Sequence, residues 1–222
     1  RRAAAVLKRL GAHEPCHDQI CSDEHAVQSA VALLIDCNDV QIRRNMIDML
    51  TSVASDDSRK RLLVESGVLT PLLMHLDPRH SSLETITMVI GCLHVLSTCS
   101  ANLRAMFSEG LVQTLRRVLF TELGEIRQYR AMANAAAHSK SREEKMDKYS
   151  SGRSMMGVRP LAETKDPEVN TDYATWRSIK TRTPEELEGD ALRYGLQILL
   201  NLSTHEPLRD DLVMAGIAED LF

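Results

Sequence analysis

Aromatic side chains are scarce in this chain of 222 residues: Phe, Trp and Tyr make up 4% of it, and Trp176 is its single tryptophan. Any core must therefore be built from Leu, Val, Ile, Met and Ala, and a hydrophobic fraction of 43% supplies enough of them to bury one. Missing too is any run of about 18 apolar residues, the length a helix needs to cross a bilayer, and no signal-peptide pattern opens the chain; a soluble chain without a membrane span is expected. Positive charge is not in surplus, since 27 Lys and Arg face 31 Asp and Glu for a net charge of −4. Phosphate binding calls for clustered, uncompensated Lys and Arg, so no nucleic-acid partner is expected. The five cysteines, Cys16, Cys21, Cys37, Cys92 and Cys99, are odd in number and lie in helical patterns. That fits a reducing compartment and makes a cytoplasmic location the expectation.

Catalytic signatures are lacking as well. There is no Walker loop and no G-x-G-x-x-G, and Gly152-Arg153-Ser154-Met155-Met156 fails the G-x-S-x-G pattern at its last position. His13-Glu14-Pro15-Cys16-His17 fits H-E-x-x-H on paper, but that motif needs both histidines on one face of a continuous helix. Pro15 belongs in a first helical turn, which leaves His13 outside the helix. His13, His17, Cys21 and His25 recur at four-residue spacing that could ligate a transition metal; Cys16 and Cys21, however, fall on core positions of the pattern described next, so buried thiols are the better account. Lys140, Arg142, Lys145, Lys148, Arg153 and Arg159 form a basic stretch diluted by Glu143, Glu144 and Asp147. It reads as a solvated helix face, with an acidic partner or a kinase-regulated site as the alternative. No catalytic residue, cofactor or metal is expected.

What the sequence does contain is a repeat. With Gly67, Gly110 and Gly216 in register, the positions fourteen residues earlier are Val53, Leu96 and Leu202, those four earlier are Leu63, Met106 and Leu212, and those just after are Val68, Leu111 and Ile217. Agreement of this kind across separate segments marks a tandem array. The segment from His13 matches that from His205, which puts Glu24 in the glycine slot and gives a period of 43 residues between positions 24, 67 and 110. The next slot falls at Gly152, in a degenerate unit with alanines where leucines are expected. From there to Gly216 is one period plus about 21 residues.

Each unit reads as helices joined by short turns, with no alternating strand pattern of useful length. Ser81 and Glu84 form a capping box before the apolar run Ile86, Val89, Ile90, Leu93, Leu96; Thr183 and Glu186 do the same before Leu192, Leu196 and Leu199, with Pro184 in the first turn. Gly91 and Gly195 lie in mid-helix at a cost of about 1 kcal/mol each against alanine, which close helix contact, the favoured reading, or access to a groove would offset. Residues 157–182 depart from the pattern, with two prolines, mixed charge and no 3.6-residue period. They read as an inserted loop, either a plain surface segment or one that docks through Trp176, with Tyr173 beside it, onto a groove or partner. Arg1 to Leu10 reads as the tail of a helix, and Leu221 and Phe222 as the start of another, so the expectation is a single repeat domain over 1–222, cut within a repeat at both ends. Further repeats or another subunit would then cover those ends.

The period, the three helices per unit and the run from Leu199 to Ile217 resemble armadillo repeats, over nearly the whole chain apart from the insertion; a HEAT-like repeat matches less well, given the glycine slots. The resemblance implies an all-α fold, a right-handed α-solenoid of stacked three-helix units whose third helices line a concave groove. In that family a ladder of asparagines, each one turn after a tryptophan, grips extended peptides. Here the asparagine slot holds Arg9, Ser52, Val95, Ala137 (or Asn134) and Asn201, and the tryptophan slot Ala5, Asp48, Gly91, Ala133 and Gln197. Only Asn201 matches, and one side-chain hydrogen bond is worth about 0.5–1.5 kcal/mol, so a folded surface or a helix is a better-matched partner than an extended peptide. The expected function is a non-catalytic protein-binding scaffold that uses Asp48, Ser52, Gly91, Val95, Gln197 and Asn201, with Trp176 of the insertion. The alternatives are a regulatory arm of a larger enzyme and a fixed structural part of a cytoskeletal or ciliary assembly.

Overall fold

The computed structural model describes residues 2–122, 124 and 182–216, and all the regular structure among them is helical, with no strand. The helices are α1 (Arg2–Gly11), α2 (His17–Ser22), α3 (Glu24–Asp36), α4 (Val40–Val53), α5 (Asp57–Glu65), α6 (Leu69–Met74), α7 (Leu83–Ser97), α8 (Ser100–Ser108), α9 (Leu111–Arg116), α10 (Pro184–Thr204) and α11 (Arg209–Met214). A π-helical turn, Arg117–Glu122, prolongs α9. Proline-containing 3-10 turns, Glu14–Cys16 and Glu206–Leu208, lead into α2 and α11, so His13 does lie outside the helix that carries His17.

Short polar side chains start these helices. Asp39 accepts from the backbone N–H of Gln41 at 2.9 Å and of Ile42 at 3.3 Å, and Asp56 accepts from that of Arg59 at 3.0 Å, satisfying donors that have no partner within the helix. At α7 the cap is Ser82, whose Oγ accepts from the N–H of Thr85, and not the expected Ser81. Two adjacent serines offer the same oxygen one residue apart, and the helix begins at the second. α10 starts at Pro184, directly after Thr183, as its capping pattern predicts.

The three register glycines share one conformation. Gly67, Gly110 and Gly216 have φ of 81°, 80° and 74°, the left-handed region that residues with a Cβ avoid. Each N–H bonds to the carbonyl three residues back, on Val64, Phe107 and Val213, at 3.0–3.1 Å. The left-handed residue ends one helix, and at Gly67 and Gly110 it turns the chain into the next. Four residues before each glycine, Leu63, Met106 and Leu212 are buried, and fourteen before, Val53, Leu96 and Leu202 have no exposed surface. Glu24 has no such turn before it: Asp23 is extended and caps α3 directly.

Long helices pack in chain order, α1 on α4, α4 on α7 and α7 on α10; α2 packs on α5 and α5 on α8, while α3 packs on α6. The core is the aliphatic seam between these rows, and on α7 Ile86, Val89, Ile90, Leu93 and Leu96 are all fully buried. Among the described residues α7 packs directly on α10. The unit registered on Gly152 is not among them, and neither are residues 157–181, with Tyr173 and Trp176. On α10, the expected core residues Leu192 and Leu196 are 37% exposed, because no described helix covers their side; the buried row is Ala191, Ile198 and Leu202, with Leu199 beside it.

A buried histidine ties neighbouring elements together. His75 donates from Nε2 to the Leu34 carbonyl at 2.7 Å, and its Nδ1 lies 3.4 Å from Arg43 Nη1. Burial, opposed by the bond to Leu34 and aided by the charge of Arg43, holds its pKa below the ordinary 6.5. A histidine kept neutral in the fold binds fewer protons than in the unfolded chain, so its contribution is complete above about pH 6.5 and is lost as pH falls through the folded value. Thermal melts from pH 7.5 to 5 should show the midpoint dropping below about 6.5. His75→Gln, which keeps a donor for Leu34, should flatten that slope; an unchanged slope would remove His75 as its source.

Candidate functional site

The candidate site is the solvent-facing stripe of the stacked long helices. On α4, Asp48 forms an ion pair with Lys8 of α1 at 2.5 Å, and Ser52, exposed, donates its hydroxyl to the Asp48 carbonyl at 2.9 Å. One turn earlier Arg44 reaches Glu84 of α7 at 2.5 Å and the hydroxyl of its cap, Ser82, at 3.3 Å. Both ion pairs have solvent-exposed members, so each contributes less than about 1 kcal/mol and serves mainly to fix side-chain positions between neighbours.

Between α7 and α10 the contacts are aromatic and polar. Tyr194 stacks on His94 with ring centroids 5.4 Å apart and an interplanar angle of 27°, and the Arg193 guanidinium sits 4.6 Å from the tyrosine centroid. Arg193 is held in turn by Asp190 at 2.9 Å. Burial and then the Arg193 charge push the His94 pKa down, so the stack is formed by a neutral imidazole at neutral pH. Beside it, Asn201 donates from Nδ2 to Ser97 Oγ at 2.8 Å, and Ser97 donates to the His94 carbonyl at 2.7 Å. Val95 and Gly91 are half-buried, and Gln197 is exposed.

Six of the seven expected residues thus come together on three stacked helices, Asp48 and Ser52 on α4, Gly91 and Val95 on α7, and Gln197 and Asn201 on α10; Trp176 lies outside the described residues. Two of the six are already engaged by a neighbouring helix: Asn201 by Ser97 and Asp48 by Lys8. Of the other four, Ser52 and Gln197 are exposed and Val95 is half-buried, while Gly91, also half-buried, faces the Tyr194 ring. The sequence does not single out Arg44, His94, Arg193 and Tyr194, which lie one turn from the slots Asp48, Gly91 and Gln197, nor Glu84, two turns before Gly91, as site residues. Tyr194 was the one with a signal, as one of only four tyrosines in the chain.

Elsewhere, a shallow cleft of about 480 Å³ lies between α2 and α5, lined by Asp18, Cys21, Ser22, Ser58, Arg59 and Leu62 among others. Its charges are already matched, since Arg59 pairs with Asp18 at 2.6 Å and with Asp56 at 3.1 Å. His17 is buried and donates from Nε2 to the Gly11 carbonyl at 2.7 Å. Among the described residues no group of three metal-ligating side chains comes together, and no helix is long and apolar enough to cross a membrane. Compared with family models and with curated proteins, the chain matches none.

Thiol chemistry follows burial. Burial pushes the Cys92 thiol up to about 11, against a partly opposing hydrogen bond from Thr51, and it raises Cys21 as well. Cys16 and Cys37 are half-buried. Because the thiolate is the reactive form, alkylation of the folded chain followed by mass spectrometry should mark Cys16 and Cys37 first and Cys92 only after unfolding. Early labelling of Cys92 would contradict its position between α4 and α7.

Proposed function

We propose that this chain is an armadillo-type right-handed α-solenoid that acts as a non-catalytic protein-binding scaffold, with the stacked third helices α4, α7 and α10 as its binding face. The observation that carries the reading is the stacking of the long helices in chain order together with glycines of one conformation at one register. A unit of this kind leaves an apolar side that only its neighbour buries, and a row of such units presents a continuous surface. The partner is a folded surface or a helix, recognised through Ser52, Val95, Gln197 and the His94–Tyr194–Arg193 stack. A rigid stacked ring with a cation over it is a preformed, low-entropy contact of the type that dominates interface energy. An extended peptide is less well served, since Asn201 is committed to Ser97. The face also carries Asp48 and Glu84 alongside its cations, a mixture that suits protein better than phosphate backbone.

A photo-crosslinking amino acid placed in turn at Ser52, Val95 and Gln197 in cells tests this, with Arg61 on the α5 side as the control, its side chain 60% exposed. Discrete protein adducts from the three face positions and none from Arg61 are expected. Adducts from Arg61 alone would move the binding surface off the third helices.

A further inference from the structure

We infer that Ser82 is a phosphorylation site, and that its phosphate, taken up by Arg44, fastens α4 to the first turn of α7. Ser82 caps α7, a helix of 15 residues, and is exposed. Its Oγ already meets a cation from another element, since Arg44 of α4 donates to it from Nη2 at 3.3 Å. The same Nη2 pairs with Glu84 at 2.5 Å. Among the described residues neither Arg44 Nε, on the same edge of the guanidinium, nor Ser81 Oγ, one residue before the cap, has a hydrogen-bond partner, though both atoms are buried. The Nε–Nη2 edge of an arginine is the fork that takes two oxygens of a phosphate side by side. A phosphate on Ser82 therefore supplies acceptors where buried donors have none. The helix end adds to this, because the first N–H groups of a helix have no partner within it and its dipole favours an anion there.

Positive charge also precedes the hydroxyl. Arg79 and His80, three and two residues before Ser82, are exposed in the turn between α6 and α7, which suits a kinase whose substrate groove is acidic. The step is phosphoryl transfer: Ser82 Oγ attacks the terminal phosphorus of a nucleoside triphosphate held by that kinase, and an Oγ–P bond forms. The bond from phosphorus to the β–γ bridging oxygen breaks, the nucleoside diphosphate leaves with the electron pair, and the hydroxyl proton passes to the kinase's base. Glu84 is the competitor for Arg44. Its side chain is 50% exposed, and an exposed pair of this kind is weak, whereas a phosphoserine carries a charge of about −1.5 to −2 at pH 7. Glu84 yields, and the bond from Arg44 to a neutral hydroxyl becomes one between opposite charges.

Two experiments on the 222-residue chain test this. In the first, the folded chain is incubated with ATP and a set of serine kinases that prefer basic residues ahead of the hydroxyl, and peptide mass spectrometry should place a phosphate on Ser82. In the second, phosphoserine is encoded directly at position 82. The melting midpoint at pH 7.5 should rise by about 2–4 °C over the unmodified chain, and Arg44→Gln should remove most of that rise. Phosphorus NMR should put the second ionisation of the phosphate below its usual value of about 6, and Arg44→Gln should bring it back. A phosphate held as the dianion in the fold stabilises above about pH 6, and the gain is lost as pH falls through the folded value. The inference is overturned if no kinase of the set modifies Ser82, if the phosphate leaves the midpoint unchanged or lowers it, or if Arg44→Gln alters neither the rise nor the ionisation. Neither position is Ser52, Val95 or Gln197, so the result is independent of the binding face.

Discussion

Leu96→Ala is expected to lower the unfolding free energy by about 2–5 kcal/mol, the range for a large-to-small change at a site that cannot collapse, whereas Leu10→Ala should cost less than about 1.5 kcal/mol. Both leucines stand fourteen residues before a register position, and only their neighbours differ. Leu96 is fully buried between α7 and the helices on either side, while Leu10 is 41% exposed at the end of α1. The larger loss is a sizeable share of the 5–15 kcal/mol that holds a typical domain together. Because α7 packs on both α4 and α10, the loss falls on the helix that both contacts share. Urea titrations of the two variants, fitted for midpoint and slope, give the comparison. Equal losses at Leu10 and Leu96 would mean that the first helix is as well covered as the third long helix.

The parts of this fold that depend on local chemistry were legible in the sequence. Gly67, Gly110 and Gly216 stand where the chain must take a left-handed turn, and the leucine-type residues fourteen positions before them fill the seam. Proline placement separated His13 from the helix of His17, as the structure has it. What could not be read is which helix becomes whose neighbour. Nothing local to α7 or α10 announces that the two pack directly on each other. The same blindness affected the site. Asn201 and Asp48 were legible as slot residues, but their engagement by Ser97, 104 residues away in sequence, and by Lys8 depends on the stacking and on nothing local. Likewise the pairing of His94 with Tyr194 joins helices separated by the whole of residues 98–183. Sequence periodicity supplies the faces of each helix; the partners across a face are a property of the assembled rows.

The mid-helix glycines put that distinction to a quantitative test, because the sequence treats Gly91 and Gly195 alike and the structure does not. A Cβ on Gly91 would meet the Tyr194 ring at 3.7 Å and 3.8 Å, an ordinary van der Waals contact. The expected close approach is absent there, and Gly91→Ala should gain up to about 1 kcal/mol from helix propensity. A Cβ on Gly195 would collide with Leu119 Cδ1 and lie 3.1 Å from its Cδ2 and 3.3 Å from its Cγ. Leu119 is itself only 6% exposed, in the π-helical turn after α9, so its freedom to withdraw is small. Overpacking of a buried site costs about 1–3 kcal/mol, which outweighs the propensity gain of about 1 kcal/mol, and Gly195→Ala should be net destabilising by up to about 2 kcal/mol. The two substitutions are thus predicted to shift the urea midpoint in opposite directions. Because the penalty at Gly195 acts through one side chain, Leu119→Ala should make Gly195→Ala favourable, a coupling of more than about 0.5 kcal/mol between residues in contact. Additive losses in the double variant would show that α10 does not seat against Leu119, and with it the direct packing of α10 into the row behind α7 would fail.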